Sequence, residues 1–122
     1  MRRAISMALL AAVLATACSS YSVTDKPSSQ IAFGAEVAKQ GLWREAAFRF
    51  EQALRKEPNN ARAHNNLAVA LEATGDFSRA LTEYKKALEL APNDDHIRRN
   101  YARFAEFYTS YTRTTGKAAS GP

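Results

Sequence analysis

The strongest constraint on the fold is an internal repeat with a period of about 34 residues. At this offset, identical or similar residues recur along a whole unit: Gly41 and Gly75, Ala46 and Ala80, Phe50 and Tyr84, Ala53 and Ala87, Leu54 and Leu88, Pro58 and Pro92, Asn59 and Asn93. A third copy starts in register and then stops matching; its aligned residues are Phe33, Leu67, Tyr101 and Gly34, Ala68, Ala102. Such a period predicts stacked units that share one continuous core.

Each unit is predicted to form two antiparallel helices. In the second unit, the first helix has one face made of Leu67, Ala70, Leu71 and Thr74. Gly75 supplies the left-handed turn that ends this helix, and Asp76 caps the next. The second helix has an apolar stripe of Phe77, Ala80, Leu81, Tyr84, Ala87 and Leu88. Pro92 cannot continue that helix and therefore separates the units.

Small residues mark the places where helices approach closely. Ala68 and Ala80 lie between the two helices of one hairpin, and Ala87 lies where the next unit packs. These positions resemble the tetratricopeptide repeat, which has small residues at its eighth, twentieth and twenty-seventh places and a Pro near its end. Residues 61–94 match closely, with His64 where Trp is common, and residues 27–60 match best in their second helix, with Gln30 at the Trp place.

The resemblance implies an all-α fold, a tetratricopeptide-like helical hairpin solenoid of two repeats plus a C-terminal capping helix. The predicted domain covers residues 28–112, with repeats at about 27–60 and 61–94 and the capping helix at about 95–111. Asp94 and Asp95 favour the start of that helix. Its apolar residues would cover the flank of the second unit: Ile97, Tyr101, Phe104, Ala105 and Tyr108. Residues 113–122 offer little to bury and are predicted to be a disordered tail.

The N-terminus has the pattern of an export signal. Arg2 and Arg3 precede an apolar stretch that runs to Ala17, so residues 1–17 are predicted to be a signal peptide. The only cysteine, Cys18, follows directly, which excludes an intramolecular disulfide. Residues 14–18, with small residues before the cysteine, resemble a bacterial lipobox. That resemblance implies a covalent lipid on Cys18.

Two interpretations of this segment remain open. Ala15 stands where a lipobox usually has Leu, and Ala15 with Ala17 also forms an ordinary secretory cleavage pattern. The first interpretation is a lipidated tether at residues 18–27 that holds the domain at the outer membrane, facing the periplasm, since Ser19 resembles the residue of outer-membrane lipoproteins. The alternative is a soluble periplasmic or secreted protein.

The repeat resemblance implies a groove, lined by the first helix of each unit, that binds a peptide or a helix of a partner protein. The positions carried over to this chain are Ala35, Lys39, Arg62, Asn65, Asn66, Val69, Glu72, His96, Arg99, Asn100 and Arg103. Their charge predicts a basic mouth that pairs with acidic groups. The carboxylate clamp of chaperone-binding relatives is absent, because only Asn66 matches one of its positions.

A second surface is predicted on the capping helix, which carries aromatic residues on more than one side. They are Tyr101, Phe104, Phe107, Tyr108 and Tyr111. We interpret them as a face for a partner or for a second copy of the chain.

Charge and residue inventory weigh against other classes of function. Without Arg2 and Arg3 the chain has 15 basic residues (17 − 2) against 12 acidic ones, and they alternate along the helices, which disfavours a nucleic-acid or anionic-polymer partner. No His-Glu-x-x-His, Gly-x-Ser-x-Gly or phosphate-binding Gly-rich string occurs, so we predict no enzyme, metal or cofactor.

The predicted function is a lipid-anchored envelope adaptor or assembly factor for pilus, secretion-channel, outer-membrane or cell-wall machinery. The alternative is a structural homo-oligomeric subunit of an envelope complex.

Overall fold

A computed structural model describes residues 25–119. This part of the chain forms five helices, which we label α1 (Pro27–Lys39), α2 (Trp43–Lys56), α3 (Ala61–Thr74), α4 (Phe77–Leu90) and α5 (Asp95–Ala119). The described residues contain helices and turns only, which confirms the all-α prediction. The predicted signal peptide, Cys18 and the first part of the tether lie outside the described residues.

The helices stack in chain order. α1 packs against α2 and α3 against α4, so each repeat is a helical hairpin, and α2–α3 and α4–α5 contacts join the hairpins and the last helix. The first helices of successive units also touch, α1 with α3 and α3 with α5. This arrangement confirms the helical hairpin solenoid and places α1, α3 and α5 side by side along one surface.

Turn residues end and start the helices where the repeat pattern predicts. Gly41 and Gly75 have φ angles of 79° and 84°, a left-handed conformation that glycine adopts without the steric cost of a Cβ atom. The Asp76 carboxylate accepts a hydrogen bond from the Arg79 backbone N–H at 3.3 Å. Asp94 caps α5 in the same way, accepting from the Ile97 backbone N–H at 3.0 Å. The helix boundaries therefore follow from local chemistry.

Repeated small residues form the centre of the core. Ala46, Ala53, Ala80 and Ala87 are completely buried, as is Ala68. Large side chains at these points would hold the helix axes apart, because helices pack closely only where the contact residues are small. Tyr84 and Phe104 are the largest fully buried side chains and fill the space between α4 and α5.

Each hairpin has a polar contact between its two helices, and the two contacts occupy equivalent positions in the repeat. His64 lies on α3 with its Nδ1 atom 2.6 Å from Glu83 on α4, and its Nε2 atom is 2.8 Å from the Pro58 carbonyl oxygen. In the first hairpin, Arg49 on α2 donates to the side-chain oxygen of Gln30 on α1 at 3.4 Å. Both pairs join the first and second helix of a unit. The place usually held by Trp is thus used here for a polar link.

The last helix is longer than predicted. It continues from Tyr111 to Ala119, through residues that we expected to be disordered. No proline interrupts this stretch, and threonine hydroxyls donate to carbonyl oxygens one turn earlier, from Thr112 to Tyr108 and from Thr115 to Tyr111. The helix continues although residues 112–116 are exposed, because its backbone hydrogen bonds need no tertiary partner. None of the helices in residues 25–119 has the length and apolar character to span a bilayer.

Candidate functional site

An open groove of about 410 Å³ runs across the first helices of the units. Its lining combines most of the residues predicted from the repeat with three that the prediction missed. The predicted ones are Ala35, Lys39, Asn65, Asn66, Val69, His96, Asn100 and Arg103, and the additional ones are Ala38, Trp43 and Phe50. The structure therefore brings together residues from all three repeat units on one concave surface.

The lining of the groove includes an apolar part formed mainly from the first hairpin. Ala35 and Ala38 come from α1, Trp43 and Phe50 come from α2, and Val69 comes from α3. Phe50 belongs to the core, where it is 2% exposed, and Trp43 is half-buried against the same core. The rings are therefore held by packing before any ligand arrives. A rigid apolar lining of this kind suits an apolar side chain of a partner.

Asn65 is a structural residue of the groove wall. It is 2% exposed, its Oδ1 atom accepts a hydrogen bond from Asn100 at 3.0 Å, and its amide nitrogen donates to Asn66 at 3.3 Å. A buried amide with its oxygen and nitrogen engaged has little left for a ligand. Asn65 thus lines the groove as predicted by position, and its side chain joins α3 to α5.

Glu72 and Arg103 form a bidentate ion pair beside the groove. Arg103 donates from Nη1 and Nη2 to the two Glu72 oxygens at 2.6 and 2.9 Å, and the buried Tyr84 hydroxyl donates to Glu72 at 2.8 Å. The three side chains come from α3, α4 and α5. The charge of Arg103 is therefore neutralised by Glu72 on the neighbouring helix α3. Arg103 adds little positive charge to the predicted basic mouth of the groove.

The other predicted cations also add less positive charge to the groove than expected. Lys39 lines the groove but pairs with Glu36 at 3.3 Å in an exposed ion pair. Arg62 and Arg99 are exposed and lie outside the residues that line the groove. His96 and Asn66 remain as polar side chains in the lining. Both cations in the lining, Lys39 and Arg103, are thus paired with carboxylates, so the groove is less basic than its residue types alone predict.

The Glu72 network makes stability sensitive to acid. Burial alone would raise the pKa of Glu72, but the hydrogen bonds from Arg103 and Tyr84 and the positive charge of Arg103 together lower it below its ordinary value of 4.5. Burial, the hydrogen bond to Glu72 and the charge of Glu72 raise the pKa of Tyr84, so the phenol keeps the proton that it donates. A carboxyl with a lowered pKa in the folded state stabilises the fold above its unfolded pKa. That stabilisation is lost as the pH falls through the folded value.

We predict that Glu72→Gln flattens this acid response. The wild-type chain should lose more stability than the variant between about pH 5 and pH 3, since only the wild type must protonate a carboxylate held by two donors. Urea unfolding followed by circular dichroism at pH 7 and at pH 3.5 measures the difference. Glu106→Gln is the matched control, because Glu106 occupies the equivalent place one repeat later and is exposed. Equal acid responses of the two variants would contradict the prediction.

A second depression of about 330 Å³ adjoins the groove and shares Val69 and Arg103 with it. Glu72, Ala73, Phe77 and Phe107 complete its lining. It extends the concave surface towards the aromatic residues of α5.

The aromatic residues of α5 divide into buried and exposed groups. Phe104 is completely buried, with its ring centroid 5.1 Å from that of Tyr84, and Tyr101 and Tyr108 are half-buried against the core. Phe107 and Tyr111 are each 42% exposed. The predicted partner face is therefore corrected for Phe104, which the hydrophobic core needs, because α5 buries its 3-4 spaced apolar stripe on α4.

The two exposed rings are supported by Phe77 at the start of α4. Its centroid lies 5.0 Å from those of Phe107 and Tyr111, both in edge-to-face geometry. Aromatic pairs favour this arrangement. The outer part of the aromatic group is thus ordered while remaining open to solvent.

The described residues hold no group of three or more His, Cys, Asp or Glu side chains that could bind a metal ion. The two histidines lie on different helices: His64 is paired with Glu83, and His96 is exposed at the groove.

The family model that matches is described as the tetratricopeptide repeat, and it matches residues 32–95. This range is more than half of the chain. It runs from the middle of α1 through both hairpins to the first residue of α5.

Proposed function

Since this chain belongs to the tetratricopeptide repeat family, we propose that it is an adaptor of the bacterial envelope that holds a second protein in its groove and is anchored by a lipid on Cys18. Repeats of this family form protein–protein interaction modules with extended concave binding surfaces, and they are generally non-catalytic. The envelope location and the adaptor role are the parts that we propose.

The observation that carries the proposal is the preformed groove. Side chains of α1, α2, α3 and α5 line it, and its apolar part is held in place by the core. Asn65 and Arg103 already have partners within the domain, and the Asn66 side-chain oxygen accepts from Asn65. His96 and the amide nitrogen of Asn66 are therefore the polar groups best placed for a ligand. This chemistry favours a partner segment that inserts an apolar side chain and offers hydrogen-bonding groups beside it.

The envelope part of the proposal is supported by the N-terminal sequence. An apolar stretch after Arg2 and Arg3 leads to small residues and the only cysteine of the chain, Cys18. Export followed by acylation explains why a lone cysteine stands at a cleavage position. Two or three acyl chains would anchor the protein stably, since each buried methylene contributes about 0.8 kcal/mol.

Photo-crosslinking in living cells tests the groove. A benzoylphenylalanine residue at position 35, inside the groove, is expected to give one discrete crosslinked product that contains a different envelope protein. The same residue at position 82, on an exposed part of α4, is the control and should give none. Val69→Arg, which places a charge in the apolar lining, should remove the product. A product that persists in that variant would argue against groove binding.

Cys18→Ser in the same cells tests the anchor. We expect the variant to lose incorporation of labelled fatty acid and either to become soluble in the periplasm or to remain uncleaved. A variant that is correctly cleaved and still in the membrane fraction would show that Cys18 is not the anchor.

A structural homo-oligomeric subunit is the second candidate function. It is favoured by Phe107 and Tyr111, which keep 42% of their surface exposed beside Phe77. A crosslinker at position 107 would then give a product of twice the chain's mass, whereas the adaptor gives a product with a different protein.

A further inference from the structure

The exposed side of α2 carries an arginine–phenylalanine stripe, which we define as Arg44, Phe48 and Arg55. Arg44 is four residues before Phe48 and Arg55 is seven after it, so at about 100° per residue both lie within about 40° of Phe48 around the helix. Phe48 is 45% exposed, and both arginines are exposed. The helix thus presents a large apolar ring between two cations.

A second aromatic side chain widens this surface. Phe33 on α1 is 48% exposed. The Arg49 guanidinium lies 4.7 Å from the Phe33 ring centroid and 5.6 Å from that of Phe48, so it joins the two rings into one patch. Cation–π contacts of this kind hold exposed rings in a defined orientation.

The charges around the stripe leave an excess of positive charge. Glu45 pairs with Arg49 at 2.7 Å, and Glu51 pairs with Arg79 at 2.8 Å. Within residues 25–119, neither Arg44 nor Arg55 forms an ion pair. Both acids of α2 are therefore paired with other arginines, and Arg44 and Arg55 are exposed to solvent.

The fold itself does not require these residues. The equivalent positions on α4, one repeat later, hold Ser78, Thr82 and Glu89, all of them exposed. α4 occupies the same place in its hairpin as α2 does, so the repeat tolerates small and acidic side chains there. The stripe is a property of the first repeat alone, which points to a role beyond folding.

The proposed anchor limits how far the stripe can lie from a membrane. The segment from Cys18 to Pro27 spans at most about 30 Å when fully extended. Phe33 lies six residues into α1, about 9 Å along the helix axis from Pro27. A lipid on Cys18 would therefore keep the first hairpin close to a membrane surface. Aromatic rings and arginines are the side chains that favour the interface of an anionic bilayer.

We propose that the arginine–phenylalanine stripe, together with Phe33, docks the first repeat on an anionic lipid surface. The rings enter the headgroup region while Arg44 and Arg55 pair with lipid phosphates. This inference rests on the proposed anchor, because the anchor supplies the proximity. Docking by this side of α2 would fix the orientation of the solenoid relative to the membrane.

Spin labelling of the full chain, purified from membranes and reconstituted in vesicles of phosphatidylethanolamine and phosphatidylglycerol, tests the proposal. Gln52→Cys places a nitroxide one turn after Phe48 on the same side of α2. Lys86→Cys is the matched control at the equivalent place on α4. We expect the label at position 52 to be shielded from a water-soluble nickel chelate and exposed to oxygen. The label at position 86 should remain accessible to the chelate.

A variant that copies the second repeat provides the decisive comparison. Arg44→Ser, Phe48→Thr and Arg55→Glu together give α2 the residues that α4 already carries. Each arginine near an anionic surface contributes about fivefold in affinity, so we expect the ratio of docked to undocked domain to fall by about 25-fold or more. Circular dichroism verifies that the fold is kept, and Phe48→Thr alone replaces the triple variant if it is not.

Three outcomes would overturn the docking proposal. The label at position 52 could be as accessible to the chelate as the label at position 86, or the triple variant could behave like its parent. Shielding in native membranes but not in pure lipid vesicles would show that a protein covers the stripe instead. Mass spectrometry of the N-terminal peptide separates these results from failure of the anchor, since an unacylated Cys18 would contradict the proposed function itself.

Discussion

Replacing Phe104 with alanine is expected to lower the free energy of unfolding by about 3 to 5 kcal/mol. The ring is completely buried and contacts Tyr84 on α4, and its centroid lies 5.8 Å from that of Tyr108 on its own helix. Alanine would leave a cavity between α4 and α5 that rigid helices cannot close. A domain of this size is stable by only about 5 to 14 kcal/mol, so the change removes a large share.

Thermal unfolding followed by circular dichroism measures the effect of Phe104→Ala, and we expect the Tm to fall by roughly 15 to 25 °C. Phe107→Ala is the control on the same helix. Its ring is 42% exposed and pairs with Phe77, so the loss should be about 1 kcal/mol. A Phe104→Ala protein that kept its stability but lost a partner would restore the prediction that this ring belongs to a binding face.

The fold could be predicted because the repeat fixes many positions at once. Gly75, Ala80 and Pro92 each have a counterpart in the preceding repeat, and each has a separate physical role in a turn, a close contact or a helix end. Agreement at all of these places leaves few alternatives to a helical hairpin. The prediction was therefore reliable for the hairpins and their boundaries.

The groove could be predicted by position but not by chemistry. The repeat pattern predicts Asn65 and Arg103 as groove residues, and both line the groove. Their partners, Asn100 and Glu72, lie 35 and 31 residues away in the sequence. Whether two such side chains pair depends on rotamers and helix spacing, which a repeat register does not contain. The missed Trp43 belongs to a second helix, and only the crossing of α1 and α2 brings it to the groove.

The end of α5 shows a different limit of sequence reasoning. Low apolar content after Tyr111 led to the prediction of disorder, because a segment that buries nothing gains little from folding. A helix already nucleated by packed turns needs only to propagate, which adds one hydrogen bond for each residue fixed. The nearest glycine, Gly116, lies inside the helix without ending it. Propagation of the existing helix thus outweighs the low apolar content of the residues after Tyr111.

The second large effect concerns the eighth place of the repeat, where leucine is expected to destabilise the domain in the first two units and to have little effect in the third. Gly34, Ala68 and Ala102 occupy this place in successive units. A Cβ atom on Gly34 would lie 2.7 Å from Phe50 Cε1, and Phe50 is buried and cannot easily move. Ala68 is completely buried, whereas Ala102 is exposed. The difference arises because α2 and α4 cover the first two positions, and no described helix follows α5 to cover the third.

We therefore expect leucine to destabilise the domain by about 3 kcal/mol at position 34 and by about 1 to 3 kcal/mol at position 68, since both changes overpack a closed helix contact. At position 102 the change should stay within about 0.5 kcal/mol. Urea unfolding of the three variants measures this series at equal protein concentration. A loss at position 102 equal to that at position 68 would mean that another chain packs on α5, and it would then depend on protein concentration. The comparison of positions 68 and 102 thus separates the requirements of the repeat from contacts between copies, because both change alanine to leucine and only the covering helix differs.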